Sequence, residues 1–373
     1  MRTLARSTAA TLAAVTIIAL TGACAPPEKE TEASTSGAAT ATSAGALGGM
    51  DALIAEAKKE GRLNVIALPP NWANYGEIIK AFGAKYGIEV DSAQPDGSSQ
   101  DEINAANQLR GQDTAPDVFD LGASVAAANV AMFAPYKVEK FDEIPAGLKD
   151  PGGAWANDYG GYMSIGYDSA KVPAPATVAD LLKPAYKGKV ALNGDPTQAG
   201  AAFGGVQMAS LANGGTVEDI KNGVDFFGSL KKAGNFLPVD PSPATIESGQ
   251  TPVVFDWDYL NAAQSKKMPS WKVFVPAGAV LGSYYVQAIN KDAPHPAAAR
   301  LWQEFLYSDE GQNLWLKGGA RPVRADAMQK AGTIDATAFA ALPKVEGDVV
   351  IPTEAQNTKA KEYLTANWTK AVG

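Results

Sequence analysis

The chain has 373 residues, a formal net charge of −8, 46% hydrophobic residues, one cysteine and one histidine. That inventory excludes an internal disulfide, a Cys/His zinc cluster and most histidine-dependent hydrolase chemistry, so no cofactor or metal is expected. The length predicts about two domains of about 150 residues each, and the acidic balance opposes binding to nucleic acid or to an anionic membrane surface.

The first segment reads as an address. Arg2 and Arg6 precede an apolar run over residues 8–20 that is too short for a permanent span. The run ends in Leu20-Thr21-Gly22-Ala23-Cys24, which resembles the lipobox of bacterial lipoproteins, with Thr21 where leucine is commoner. The resemblance implies a signal peptide over residues 1–23 and a lipid on Cys24, the chain's only cysteine. Residues 24–49 are dominated by Pro, Glu, Thr, Ser, Ala and Gly, a composition expected to form a disordered tether.

From residue 50 the pattern alternates. Helical spacing over Met50 to Lys59 and over Tyr75 to Tyr86 brackets a short apolar strand at Leu63 to Leu68. Strands at Ile88 to Asp91 and Pro116 to Leu121 flank a helix from Ser99 to Arg110. A strand at Gly160 to Tyr167 is followed by a proline-punctuated helical segment over Pro173 to Gly188. Further strands fall at Lys189 to Leu192, Pro252 to Phe255, Trp271 to Val275 and Tyr284 to Ile289, with helical pattern at Thr216 to Lys232 and again after residue 290. Strands alternating with helices predict an α/β fold of two lobes, each a mainly parallel sheet flanked by helices, with two crossing strands as hinge. The expected divisions are 50–160 for the first part of lobe 1, 161–283 for lobe 2, and 284–373 for the return crossing and C-terminal helices.

In such sheets ligands lie beyond the carboxyl ends of the strands, so the loops after each strand are the candidates. They carry Asn71, Trp72 and Tyr75; Asp96; Ser124; Asp195 and Gln198; and Asp256, Trp257 and Asp258, while Tyr285 opens the return crossing, with no Lys or Arg among them. Carboxylates with aromatic faces suit a cation, each cation–π contact contributing roughly 0.5 to 2 kcal/mol. The bland alternatives are helix-start packing for Trp72 and Tyr75 and helix capping for Asp195. His295, between two prolines, is expected at the surface.

The segment Pro184-Ala185-Tyr186-Lys187-Gly188-Lys189-Val190 and the helix from Ala297 to Gln312, ending Ser308-Asp309-Glu310-Gly311-Gln312, resemble the extracellular solute-binding proteins of bacterial ABC importers, in the spermidine/putrescine and ferric-ion branch. The resemblance covers residues 50–373 and implies the type II periplasmic-binding-protein-like fold. Asn71, Trp72 and Tyr75 fit the Asn-Trp-x-x-Tyr stretch that walls the polyamine site, and Trp257 matches a later ligand-facing tryptophan. Asp195 and Gln198 stand where that branch has Asp and Glu, and Tyr285 falls near its final acidic residue, two departures. Ferric receptors use adjacent tyrosines where this chain has Asp258-Tyr259.

The resemblance implies a lipid-anchored, extracytoplasmic, monomeric receptor that closes on a small, cationic, polyamine-like solute and delivers it to an ABC permease with its ATPase, without catalysis. A ferric-ion receptor of the same fold is the first alternative. The second is a secreted hydrolase using Asp256 and Asp258, or Asp195, as a carboxylate pair.

Overall fold

In the computed structural model, which describes residues 37–373, the helices Met50–Glu60 and Tyr75–Tyr86 each stop at a glycine, Gly61 and Gly87, with φ of 70°. Only glycine enters that left-handed region without a Cβ penalty, and its N–H returns to the helix, to Ala57 and Gly83 respectively. Between them runs β1 (Arg62–Ile66), which pairs parallel with β2 (Glu89–Ala93). The next helix, Ser99–Gln108, starts with a capping box between Ser98 and Asp101. It leads to β3 (Val118–Leu121), held beside β1 by the Asp117 amide donating to the Asn64 carbonyl at 2.9 Å.

The remaining strands are β4 (Phe133–Ala134), β5 (Ala156–Asp168), β6 (Val190–Leu192), β7 (Val253–Trp257), β8 (Trp271–Phe274), β9 (Val280–Asn290), β10 (Arg321–Pro322) and β11 (Val349–Val350). The two long strands organise the rest. The first half of β5 pairs with β9 through Ala156 to Tyr162, and its second half, from Met163, pairs with β7 and β8. The far end of β9 takes β3 and β4, and its beginning takes β11. Thus β5 and β9 run through both lobes, the first built around β1 to β4 and the second around β6 to β8.

The sheets are mixed, which corrects the expectation of mainly parallel ones. The pairs β1/β2, β6/β7 and β9/β11 are parallel, and the other ladders, all made by β5 or β9, are antiparallel. The Pro173 to Gly188 segment makes only short 3-10 turns, Val178–Leu182 and Pro184–Tyr186, since its prolines remove the donors a longer helix needs. The helix Pro296–Leu306 breaks at Tyr307, and Ser308 caps a second helix, Asp309–Lys317.

The expected tether also needs correction. Residues 37–49 are packed: Ala38, Ala41 and Ala44 are buried, and Arg300 donates to the carbonyls of Ala39 and Ala41 at 2.9 and 2.8 Å. A small-residue run can be buried where neighbours lie close. The signal peptide and Cys24 lie outside the described residues. One apolar core runs from Leu53 and Phe82 through Tyr159 and Met163 to Phe227 and Trp368.

Candidate functional site

Where β5 and β9 pass side by side, an aromatic cluster forms from elements far apart in sequence. Tyr159 of β5 stacks on Tyr285 of β9, with ring centroids 5.2 Å apart and planes within 6°. Trp72, in the loop after β1, sets its edge against Tyr285 and against Tyr259 at 6.0 and 5.9 Å. Its indole N–H donates to the Tyr159 hydroxyl at 2.9 Å. Tyr259 comes from the helix Asp258–Lys267 that follows β7, so the first and second lobes both contribute rings. Behind Tyr159, Trp315 stacks at 4.2 Å and packs on Tyr75.

Carboxylates line this cluster. The Tyr159 hydroxyl donates to Oδ2 of Asp120 on β3 at 3.2 Å, and Glu102 accepts from the Asp120 amide. Burial pushes the Asp120 carboxyl up to about 7, held back by Tyr75, Tyr159 and Gln287. Asp158, fully buried, is raised well above the usual carboxylate range by burial and then by Asp120. From the second lobe, Asp256 on β7 is likewise raised to about 7 by burial, opposed by Asn193 and the Trp257 amide.

The buried arginines do not serve these groups. Arg300 binds backbone carbonyls, Arg324 pairs with Glu143 and Asp309, and Arg321 pairs with Asp258. Among the described residues neither Asp120 nor Asp256 has a basic partner within 4 Å. Among the nine buried side-chain polar atoms of the described residues that lack a hydrogen-bond partner, five lie in or beside the cluster: Asp120 Oδ1, Asp158 Oδ2, Trp257 Nε1, Trp315 Nε1 and the Tyr259 hydroxyl. Unpartnered buried polar atoms are uncommon in a finished core and are expected where a ligand supplies the partner.

The residues expected from sequence therefore separate. Trp72, Tyr75 and Tyr285 join the cluster, and Asp256 lies at its edge. Asp258 is fully buried, accepts from the Tyr162 amide at 2.9 Å and pairs with Arg321 at 3.2 Å, so it is a framework residue. Burial raises its carboxyl to about 6 despite that arginine. Trp257 is buried against Gly204, where an added Cβ would lie 3.2 Å from its ring, and it makes no ring contact with Trp72. Trp72 faces Tyr259 and Tyr285 instead.

Asp195 is exposed and accepts from the Thr197 amide and hydroxyl, both at 2.8 Å, a local turn cap. Gln198, Asn71 and Asp96 are exposed. Ser124 receives Lys361, a cation absent from every loop considered above. His295 is buried: its Nδ1 lies 3.0 Å from Asp117. Sequence reasoning missed Asp120, Tyr159 and Tyr259. Asp120 had a signal, a carboxylate inside the apolar strand Val118-Phe119-Asp120-Leu121. A cavity of about 340 Å³ beside Ser43, Gly49, Lys137 and Asp142 shares no residue with the cluster.

Residues 116–342 match the family described as bacterial extracellular solute-binding protein. The chain belongs to that family. Members serve as the substrate-binding component of ABC transporters outside the cytoplasm, and they are receptors, not enzymes. No curated protein matches. Among solved structures, an extracellular solute-binding protein from Bordetella parapertussis aligns with a TM-score of 0.65 at 14% identity, over 84% of this chain and 100% of that one. A ferric binding protein from Campylobacter jejuni gives 0.61 at 18%, over 83% and 99%. The spermidine/putrescine substrate-binding protein PotD from Streptococcus pneumoniae gives 0.61 at 16%, over 84% and 99%. At these identities the likeness establishes the two-lobed fold and leaves the ligand open.

Proposed function

We infer that this receptor captures a small organic cation between its lobes and hands it to an ABC permease. The observation that carries the reading is that Asp120 and Asp256, from different lobes and without a basic partner within 4 Å among the described residues, both act on Tyr259 and Tyr285 of the cluster that Trp72 and Tyr159 complete. A desolvated carboxylate next to aromatic faces favours an ammonium, which would satisfy the carboxylate and meet the negative ring faces together. Because the cluster draws on both lobes, only a closed form offers all its contacts, so the ligand favours closure.

Ferric ligation is less well supported. This chain has a single tyrosine in Asp258-Tyr259, where the ferric receptors use adjacent tyrosines. The hydrolase alternative loses its carboxylate pair, since Asp258 is held by Arg321.

In this reading the chain is a lipoprotein anchored through Cys24 and acts as a monomer. Lobe 1 comprises 50–160 and 284–373, and lobe 2 comprises 161–283, with the C-terminal helix packed across onto lobe 2. A thermal-shift and calorimetric panel of polyamines, quaternary ammonium compounds, ferric citrate and simple anions tests the function. Saturable 1:1 binding of a cation, weakened at least tenfold by Asp120→Asn or Asp256→Asn, is expected. Tight binding of a free anion such as sulfate that is indifferent to both substitutions would overturn it.

A further inference from the structure

The C-terminal helix, Glu354–Val372, belongs by its packing to the second lobe. Trp368 sets its ring against Phe227 and Phe236 at 5.5 and 6.5 Å, Asn357 accepts from Gln207 at 3.0 Å, Lys359 faces Glu218 at 3.8 Å, and Ala371 lies against Gly228. One side chain leaves that lobe. Lys361 donates to Ser124 Oγ at 2.6 Å, and Ser124 lies in Ala123–Ala128, the short helix that follows β3 in the first lobe. Among the described residues this is the helix's only hydrogen bond to the first lobe.

The ammonium is held from both lobes. Its other neighbour is Phe203, on the second-lobe helix Gly200–Ala212, with the ring centre 5.5 Å from Nζ. Phe203 is buried and Lys361 half-buried, so the Ser124 bond is partly shielded from water. A hydrogen bond from a charged donor is stronger than one between neutral groups, and a low local dielectric strengthens it further. Burial lowers the Lys361 pKa, against the effect of Glu354, so desolvation offsets part of that strength.

The seating of the helix does not depend on this bond, because Trp368, Asn357, Lys359 and Ala371 hold it to the second lobe. A hinge motion that parts the lobes carries Lys361 away with its helix and leaves Ser124 behind. The Phe203 contact lies within one lobe and survives that motion, whereas the Ser124 bond breaks. An interaction made in only one of two states shifts their equilibrium toward that state.

We propose that the C-terminal helix is an interlobe latch, in which the Lys361–Ser124 bond favours the closed receptor, raises its affinity and slows release of the solute. The latch rests on the hinge closure of the functional reading above and not on the charge of the solute. Its test therefore uses no ligand.

Pulsed dipolar electron paramagnetic resonance on the full chain reads the lobe positions directly. Cys24→Ser removes the only native thiol, and spin labels at Gln100→Cys in the first lobe and Gln198→Cys in the second, both exposed, report the distance between lobes. Lys361→Met and Ser124→Ala should each move population from the shorter to the longer distance, lowering the closed-to-open ratio about fivefold. The double substitution should do no more than either alone, since all three remove the same bond. Lys359→Met, whose partner Glu218 is in the second lobe, should leave the distribution as it is. Melting temperatures report folding in every variant. An unchanged distribution in Lys361→Met, a shift toward the shorter distance, or single effects that add in the double variant would overturn the latch. A receptor that latches in this way yet binds no cation would refute the cation reading alone, and one that binds a cation with the distribution unchanged in Lys361→Met would refute the latch alone.

Discussion

Trp72 and Tyr159 are joined by a single hydrogen bond of 2.9 Å from indole to phenol, and the same phenol passes its own proton toward Asp120 at 3.2 Å. The relay ties the loop after β1 to the crossing strand β5 and to β3. It fixes the orientation of the aromatic wall, because neither ring can turn without breaking a partly buried bond.

Tyr159→Phe keeps the ring and its stack on Tyr285 but removes both hydrogen bonds. The indole N–H and the Asp120 oxygen would lose partners, at about 1 to 3 kcal/mol each before relaxation. A lowered melting temperature is expected together with weaker cation binding. Trp72→Ala, at a half-buried position, should act mainly on affinity, lowering it about tenfold or more by calorimetry.

Binding should depend on pH through Asp120 and Asp256, both raised to about 7 by burial. In the free protein these carboxyls hold protons that the unfolded chain releases near pH 4, so stability falls as pH rises from about 4 through 7. A cation requires the ionised form. Affinity should therefore rise as pH goes from 5.5 to 8, by up to about tenfold per unit per carboxylate below 7, with proton release on binding. Calorimetry in buffers of different ionisation enthalpy measures that release.

His295 adds to the same slope. Asp117 raises its pKa against the opposing effect of burial. The stabilisation is fully present below about pH 6.5 and is lost as pH rises through the higher folded value. His295→Ala should remove that part of the pH dependence of melting and leave the ligand's own pH profile in place.

Two substitutions at the second lobe separate framework from site. Asp258→Ala leaves Arg321 without its partner in a nearly closed environment, and loss of one member of a buried pair costs about 3 to 5 kcal/mol. Trp257→Ala opens a cavity at Gly204, with a loss of about 3 to 5 kcal/mol. Denaturant unfolding checks both. Unchanged stability for Trp257→Ala, with affinity lost, would return that residue to the ligand.

Cys24→Ser should release the protein from membranes, because one acyl chain gives only marginal anchoring and the attachment would rest wholly on lipid at this position. Fractionation of cells expressing the variant measures it, and full retention in the membrane fraction would refute the lipid anchor.

The sequence by itself determined most helices and strands and the α/β class, but not strand direction, the Pro173 to Gly188 segment or the packing of residues 37–49. Helices at Met50 and Tyr75, the stops at Gly61 and Gly87, and the strands around Val118, Val190 and Val253 follow from periodicity and capping, which act over a few residues. Alternation of those elements was enough for two α/β lobes; Trp72 and Tyr75 were legible because they follow the first strand, and Tyr285 because it lies on the return crossing. Tertiary structure alone decided which charges are free. Asp258 reads like a site carboxylate until Arg321, 63 residues away, is brought against it. Asp120 and Tyr159 read as strand interior until β5 and β9 pass each other. Lys361 was invisible to any inspection of post-strand loops, since it arrives 237 residues after the serine it touches. Pairing and desolvation depend on distance in space, and a chain that crosses twice between lobes makes that distance independent of position in sequence.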